Sequence, residues 1–279
     1  MQNKRAKVVL LAAVFSCTLA SGVQASHFTH IKGAPKLHSA SVLVLDAKGN
    51  VIYGKDVNAV RSIASITKLM TVMVVLDAGQ DLDEKITVTK NDRDQEKNTG
   101  SRLGYGATLS RRDMILIAIM SSENRAATAL GRNYPGGLAA FIPQMNKKAA
   151  ELKMANSHFA DPAGLDPANT STASDLGRMV TAAYGYALIR QASTTRQKVV
   201  YPYTKKGELV YNNTNRLLKN ADWDIALSKT GFINEAGRCL VMRANIDGET
   251  VSIVLLHSDG KLTPFADSNR LRQWMLANS

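Results

Sequence analysis

The sequence predicts an α+β fold, and three observations carry the prediction. A strand-like pair, "SVLVLD" and "VIYGK", flanks the turn "AKGN" near the start of the chain. A long middle region places apolar residues at helical spacing. The last third returns to short runs rich in β-branched and aliphatic residues, which indicates a sheet in which the early hairpin joins the late strands. At 279 residues with 45% hydrophobic content, the chain is long enough to enclose a sizeable core.

Taken in order, the first 25 residues differ from the rest. Lys4, Arg5 and Lys7 precede the apolar run "VVLLAAVF", and small residues follow up to "VQA", the pattern of a signal peptide cleaved after Ala25. The apolar run is shorter than the roughly 20 residues a membrane-spanning helix needs. Residues 26–279 then read as one domain, without repeats or a low-complexity linker. Residues 26 to 38 read as a loose arm. After the hairpin, a helix opens at Ser65 and runs to about Asp77, where "DAGQ" stops it with glycine. "SRRDMILIAIMSSENRAATAL" is an apolar helical stretch interrupted by a polar cluster, and "AAFIPQMNKKAAEL" and "SDLGRMVTAAYGYAL" are amphipathic helices. "KVVYPYT", "ELVYN", "IALSKTGF", "RCLVMRANI" and "TVSIVLLHS" read as successive strands before a closing helix "FADSNRLRQWMLA".

Charge and residue types exclude several functions. Removal of the signal lowers the formal charge from +12 to +9, which favours anionic polymers such as wall or membrane material. No basic stripe with interleaved aromatics points to nucleic acid. Histidines stand at 27, 30, 38, 158 and 257 with no tight ligand spacing, so neither a zinc peptidase nor any other metal or cofactor is indicated, and His27 and His30 read as solvated surface on the arm. Only Cys239 survives cleavage; no intrachain disulfide can form, and the residue reads as a buried thiol in a strand.

Catalysis is indicated by three short motifs in a fixed order. Ser65 and Lys68 form Ser-x-x-Lys at a helix start, but Ser258 and Lys261 match the same spacing, so the spacing alone selects nothing. Ser122-Glu123-Asn124 is the only Ser-x-Asn, inside an apolar helical region where polar groups need a reason. Lys229-Thr230-Gly231 is the only Lys-Thr-Gly, on an expected strand where glycine marks close backbone approach. On a helix, positions three apart share a face with Cβ atoms about 5–6 Å apart, so the Lys68 amine reaches the Ser65 hydroxyl. A lysine acts as a base only when neutral. Bringing its pKa from about 10.4 to 7 takes roughly 4.6 kcal/mol, which burial and a second cation, here Lys229, would supply.

Ser-x-x-Lys, Ser-x-Asn and Lys-Thr-Gly together are the signature of penicillin-binding proteins and class A β-lactamases. With "SIASITKLMTVMVVLDAG", "MSSENRAATAL", "YPGG", "FADPAGLD", "STASDLGRMV", "NNTNRLL" and "LSKTGFINEAGRCLVM", the chain resembles the D-alanyl-D-alanine endopeptidase branch of the low-molecular-mass penicillin-binding proteins over nearly all of residues 41 to 257. The resemblance implies a transpeptidase-like fold, an antiparallel sheet of about five strands packed by helices beside an all-helical portion, with the site between them. It implies a serine DD-peptidase acting on cross-linked stem peptides of peptidoglycan, acylated by β-lactams, and exported to the periplasm in soluble or loosely membrane-associated form. It casts Ser65 as nucleophile, Lys68 as base, Ser122 as proton relay and Asn124 as a substrate-orienting amide. Lys229, Thr230 and Gly231 would bind substrate, and the backbone N–H groups of Ser65 and Phe232 would form the oxyanion hole.

Two departures are visible. Glu123 stands where the family has Asp or Gly, which leaves the mechanism intact if its side chain points away from the cleft. No further C-terminal domain or amphipathic anchor follows the motifs, which argues against tight membrane attachment. A β-lactamase would want a second base in a Glu-x-x-Asn segment, and none occurs; a non-catalytic sensor would show a damaged trio or a transmembrane segment. A DD-carboxypeptidase, cutting the same bond class with the same residues, stays open. If the leader is read correctly, mass spectrometry of the mature protein will find Ser26 at its N-terminus; an intact Met1 terminus would refute it.

Overall fold

The computed structural model describes residues 27–94, 96–205 and 207–278. The signal-peptide reading falls on residues 1–25, which lie outside the described residues. Five strands form an antiparallel sheet: β1 (Ser41–Leu45), β2 (Val51–Lys55), β3 (Asp224–Ile233), β4 (Gly237–Ile246) and β5 (Glu249–Ser258). Their spatial order is β2-β1-β5-β4-β3. The early hairpin joins the late strands through β1 against β5, with Ser41 opposite Leu256 and Leu45 opposite Ser252.

Both faces of this sheet are covered, which is why its strands read as almost unbroken apolar runs rather than a strict alternation. Side chains at period two divide between two cores. Leu43, Val241, Val254 and Leu256 enter the helical core, while Val42, Val44, Leu240, Met242, Ile253 and Leu255 pack on the other face. Among the described residues there are seven α-helices, α1 (Thr67–Asp77), α2 (Arg111–Met120), α3 (Asn124–Arg132), α4 (Gly137–Glu151), α5 (Ala173–Tyr184), α6 (Ala187–Thr194) and α7 (Thr263–Asn278); α5, α6 and α7 lie against the sheet, while α1 to α4 pack chiefly on other helices. None of them, among the described residues, is long and apolar enough to cross a membrane.

Helix α1 is buried all round from Thr67 to Val75, as expected for a central helix without a solvent face. Its polar side chains are satisfied internally. The Thr67 hydroxyl donates to the Ala64 carbonyl at 2.7 Å and the Thr71 hydroxyl to the Pro162 carbonyl at 2.6 Å. The polar cluster in the long apolar stretch separates α2 from α3. Ser110 caps α2 by accepting from the Asp113 N–H at 3.1 Å, Ser122 turns the chain with φ +61°, and Glu123 caps α3 by accepting from the Arg125 N–H at 3.3 Å.

Two expectations are corrected. "KVVYPYT" and "ELVYN" do not extend the sheet; Gln197–Val200 and Leu209–Asn212 pair with each other as a separate ribbon, anchored to the helical core by buried Val200 and Tyr211. The outer edge of β3 meets the turn carrying Ser65 instead. Nor is the segment after residue 26 a loose arm. His27–His30 is a 3-10 turn, and Phe28 is fully buried in the outer core with Leu271 and Met275 of α7. Downstream, the His38 and Ser39 N–H groups donate to the Asp267 carboxylate of α7 at 3.0 and 2.7 Å. His27 is exposed, as expected, with its Nδ1 2.6 Å from the Glu249 carboxylate. A short segment can dock in this way because one large aromatic supplies much of the buried apolar area. Phe28→Ala is therefore expected to lower unfolding free energy by about 3 kcal/mol in urea denaturation. A change within about 0.5 kcal/mol, the usual size for a surface substitution, would show that the segment is dispensable.

Candidate active site

Ser65 stands in the 3-10 turn Ala64–Ile66 that leads into α1. Ala64 has φ +47°, a left-handed conformation that an alanine holds only when its surroundings impose it. Two neighbours do so. The Asp161 carboxylate accepts the backbone N–H groups of Ala163, Gly164, Leu165 and Asp166 at 2.5 to 2.9 Å and the Asn169 amide at 2.7 Å, which locks the loop following Phe159. Gly164, with φ +74°, then lies so close to the turn that a Cβ there would sit 2.0 Å from the Ala64 carbonyl oxygen. From the opposite side Gly231 of β3 brings its backbone against the turn; a Cβ there would lie 3.0 Å from the Ile63 oxygen and 3.1 Å from the Ser65 nitrogen.

Lys68, one turn into the helix, is fully buried. Its Nζ lies 2.9 Å from Ser65 Oγ, 2.8 Å from Asn124 Oδ1 and 2.6 Å from the Ala163 carbonyl. The last two oxygens can only accept. In the neutral amine they take its two protons, so the nitrogen lone pair faces the Ser65 hydroxyl. That hydroxyl is 3.4 Å from the Ala163 oxygen, which makes Lys68 its nearer partner. Burial lowers the Lys68 pKa to about 8, against the opposing pull of the Asp161, Glu123 and Asp94 carboxylates. At pH 7 about a tenth of the lysine is then neutral, against fewer than about one in a thousand for a free side chain.

A second hydroxyl–amine pair faces the first. Lys229 Nζ donates to Ser122 Oγ at 3.0 Å and to its neighbour's carbonyl, Thr230 O, at 2.7 Å. Burial, and then the charge of Lys68, push Lys229 well below an ordinary lysine. The sequence predicts that burial and a second cation depress Lys68; in the structure burial is the largest cause for both lysines, and the repulsion between them opposes both carrying charge together. The Thr230 hydroxyl bonds the Thr214 hydroxyl at 2.6 Å. Glu123 points away from these groups, capping α3 and accepting from Ser101 Oγ at 2.5 Å.

A cleft of about 370 Å³ opens over Ser65, Ser122, Asn124, Thr230, Gly231 and Phe232. Among the described residues its wall carries Arg216, Arg238 and Lys261 and no acidic side chain. Arg238 lies over the half-exposed Phe232 ring at 3.7 Å. Cys239 is buried as expected, and burial pushes its thiol up to about 11, too high for a reactive thiolate. Of the second Ser-x-x-Lys match, Ser258 is buried against Ser39 Oγ at 2.8 Å while Lys261 reaches the cleft, so these two do not form a unit.

The three motifs thus come together. Sequence reasoning missed the Asp161 loop, Thr99, Thr214 and the wall cations. The "DPAG" turn within "FADPAGLD" signals a tight loop, but neither its contact with Ser65 nor the scattered cations have any sequence signature.

The chain belongs to the D-alanyl-D-alanine carboxypeptidase family, whose model matches residues 29–260. It is 45% identical over 279 residues to a D-alanyl-D-alanine endopeptidase of Pseudomonas aeruginosa, covering 99% of this chain and 89% of that protein. It is 47% identical over 242 residues to a D-alanyl-D-alanine endopeptidase of Escherichia coli, covering 86% and 78%. Among solved structures, a Streptomyces DD-transpeptidase superposes with a TM-score of 0.81 at 28% identity, covering 88% of this chain and 100% of that one. The fold class and the family resemblance expected from the sequence both hold, and the chain is a serine-type peptidase.

The closeness of Gly164 to Ala64 makes a sharp test. Gly164→Ala adds a left-handed alanine and a clash with a fixed carbonyl, a loss of about 2 kcal/mol or more. In a chain of this size the melting temperature should fall by about 4–8 °C. An unchanged melting temperature would mean that the loop does not press on the Ser65 turn.

Proposed function

We propose that this protein is an exported DD-endopeptidase that hydrolyses D-alanyl cross-links of peptidoglycan through an acyl-enzyme on Ser65. The observation that carries this reading is the fully buried Lys68 amine 2.9 Å from Ser65 Oγ, with its other two partners both acceptors. Neutral Lys68 takes the Ser65 proton as Oγ attacks the D-alanyl carbonyl. The oxyanion is held by the backbone N–H groups of Ser65 and Phe232, brought near one another by Gly231. Ser122 protonates the leaving amine, and Lys229 behind it replaces the proton. Water then attacks the acyl carbonyl and passes a proton through Ser122 to Lys229, while protonated Lys68 returns its proton to Ser65 Oγ, so the free serine and both lysines are restored as the acid leaves. Asn124 holds Lys68 with its carbonyl and one amide proton bonds Thr99, so its second amide proton is left to orient the substrate.

Thr230, Thr214 and Arg216 offer a carboxylate site, and a carboxylate bound there would draw Lys229 towards its charged form. Arg238 and Lys261 add positive charge, with no acid among the described lining residues to offset it. A stem peptide leaving from a cross-link carries more carboxylates than a single D-alanine, which favours the endopeptidase over the carboxypeptidase reading, as do the names of the relatives at 45% and 47% identity. β-Lactams would acylate Ser65 in the same way and persist, because no Glu-x-x-Asn segment offers a second base. The leader read at residues 1–25 supports export to the periplasm, in soluble or loosely membrane-associated form.

Purified cross-linked dimers and monomeric pentapeptides, digested side by side with mass readout, test the proposal. Cleavage of the dimer should be the faster reaction. Its rate should rise about tenfold per pH unit below about 8 and level off above, as Lys68 loses its proton. Lys68→Arg, which stays protonated, should lower it by at least about a hundredfold. Faster release of D-alanine from the pentapeptide would give the carboxypeptidase assignment instead.

A further inference from the structure

We infer that Asp94 and Thr99 are positioning residues that fix which end of the Asn124 amide faces Lys68, and so keep the Lys68 lone pair on Ser65. The inference rests on the proposed role of Ser65 and Lys68, and it follows from counting protons along one chain of hydrogen bonds.

Asp94 is nearly buried and accepts four hydrogen bonds. Its Oδ1 takes the backbone N–H groups of Glu96 and Lys97, both at 2.9 Å; its Oδ2 takes the Thr99 N–H at 2.7 Å and the Thr99 hydroxyl at 2.6 Å. Burial draws the Asp94 carboxyl upward, but the bonds from Lys97, Thr99 and Glu96 outweigh it and hold the group below its usual range. The ionised carboxylate has no proton to give. The single Thr99 hydroxyl proton is therefore committed to Asp94, and Thr99 Oγ1 can only accept from its other side. The Asn124 group 3.0 Å away must be the NH₂ end. The carbonyl end then faces Lys68, at 2.8 Å.

That polarity matters because a flipped amide would present N–H to the lysine. An N–H donor there would bond the amine lone pair and take it from Ser65, or repel the charged form. The Ala163 carbonyl, locked by the Asp161 loop, cannot correct such a flip, since it touches the lysine and not the amide. A carboxylate at residue 94 thus acts on the base through two intervening side chains. Neither residue belongs to the three motifs, and Thr99 reaches the cleft from the segment before α2.

The test measures acylation by fluorescent penicillin over a range of concentrations, separating the rate constant for acylation from the binding constant. Thr99→Val keeps the shape but removes the hydroxyl. It should slow acylation about tenfold or more, the factor expected for losing one hydrogen bond in a charged network, with binding little changed. Thr99→Ser, which keeps the hydroxyl, should restore the rate. In an Asn124→Ala background Thr99→Val should cost nothing beyond about twofold, because the amide it orients is gone. Should valine not be accommodated, Thr99→Ala, which retains the backbone bond to Asp94, should give the same pattern. A loss of the same size with and without the Asn124 amide would overturn the inference, as would wild-type acylation by Thr99→Val and Thr99→Ala. Failure of the wild-type protein to label on Ser65 would overturn the proposed function, and this inference with it.

Discussion

An amine with no access to solvent governs the architecture around it. Lys68 lies on the central helix, and every one of its protons needs an acceptor, because an unpaired ammonium in a low-dielectric interior costs several kcal/mol. The three acceptors come from three separate parts of the chain: the serine turn before α1, the first residue of α3, and the loop held by Asp161. The alternatives to this convergence are a lysine turned to solvent or an unpaired buried charge. The same convergence sets the chemistry, since burial that makes the ammonium costly is what leaves a useful fraction of neutral amine at neutral pH.

Backbone strain sits beside the reacting groups. Ala64 and Ser122 both hold left-handed φ angles, +47° and +61°, and each immediately precedes or carries a motif hydroxyl. Such conformations cost of order 1–3 kcal/mol each and persist where neighbours over-determine them. At Ala64 the neighbours are Gly164 and Gly231, which close on the turn from the loop and from the sheet edge. At Ser122 they are the C-terminal end of α2, whose Ile117 carbonyl accepts the N–H groups of both Ser121 and Glu123, and the Glu123 cap of α3, so the bend between the helices projects the Ser122 hydroxyl at Lys229.

The two serine–lysine pairs are alike in distance but differ in surroundings. Lys68 lies within the field of Asp161, Glu123 and Asp94, which hold its pKa up against burial. Lys229 has no such support, and it also feels the charge of Lys68. The pairs are therefore poised differently without any difference in residue type, and a carboxylate bound near Thr230, as proposed, would be a third charge acting chiefly on Lys229. The cation-lined wall continues the same theme, leaving positive potential for an anionic ligand to neutralise.

Much of this was legible in the sequence because it is local or periodic. The hairpin, α1, the break at Ser122 and the long strands followed from spacing and caps. The trio of motifs identified Ser65, Lys68, Ser122, Asn124, Lys229 and Thr230, because three rare patterns in a fixed order constrain one another. What sequence could not decide is anything that depends on distance between remote segments. "ELVYN" has the alternation of a sheet strand, yet it pairs with "KVVY", because which edge a strand joins is settled by packing rather than by its own pattern. The segment after residue 26 looked unanchored because one phenylalanine is too weak a signal to show that it docks. Residue types singled out Ser65 and Lys68. Only the tertiary structure decided which way the Asn124 amide points, how deeply the two lysines are buried, and which cations reach the cleft, since those follow from packing and from proton counts among side chains far apart in the chain.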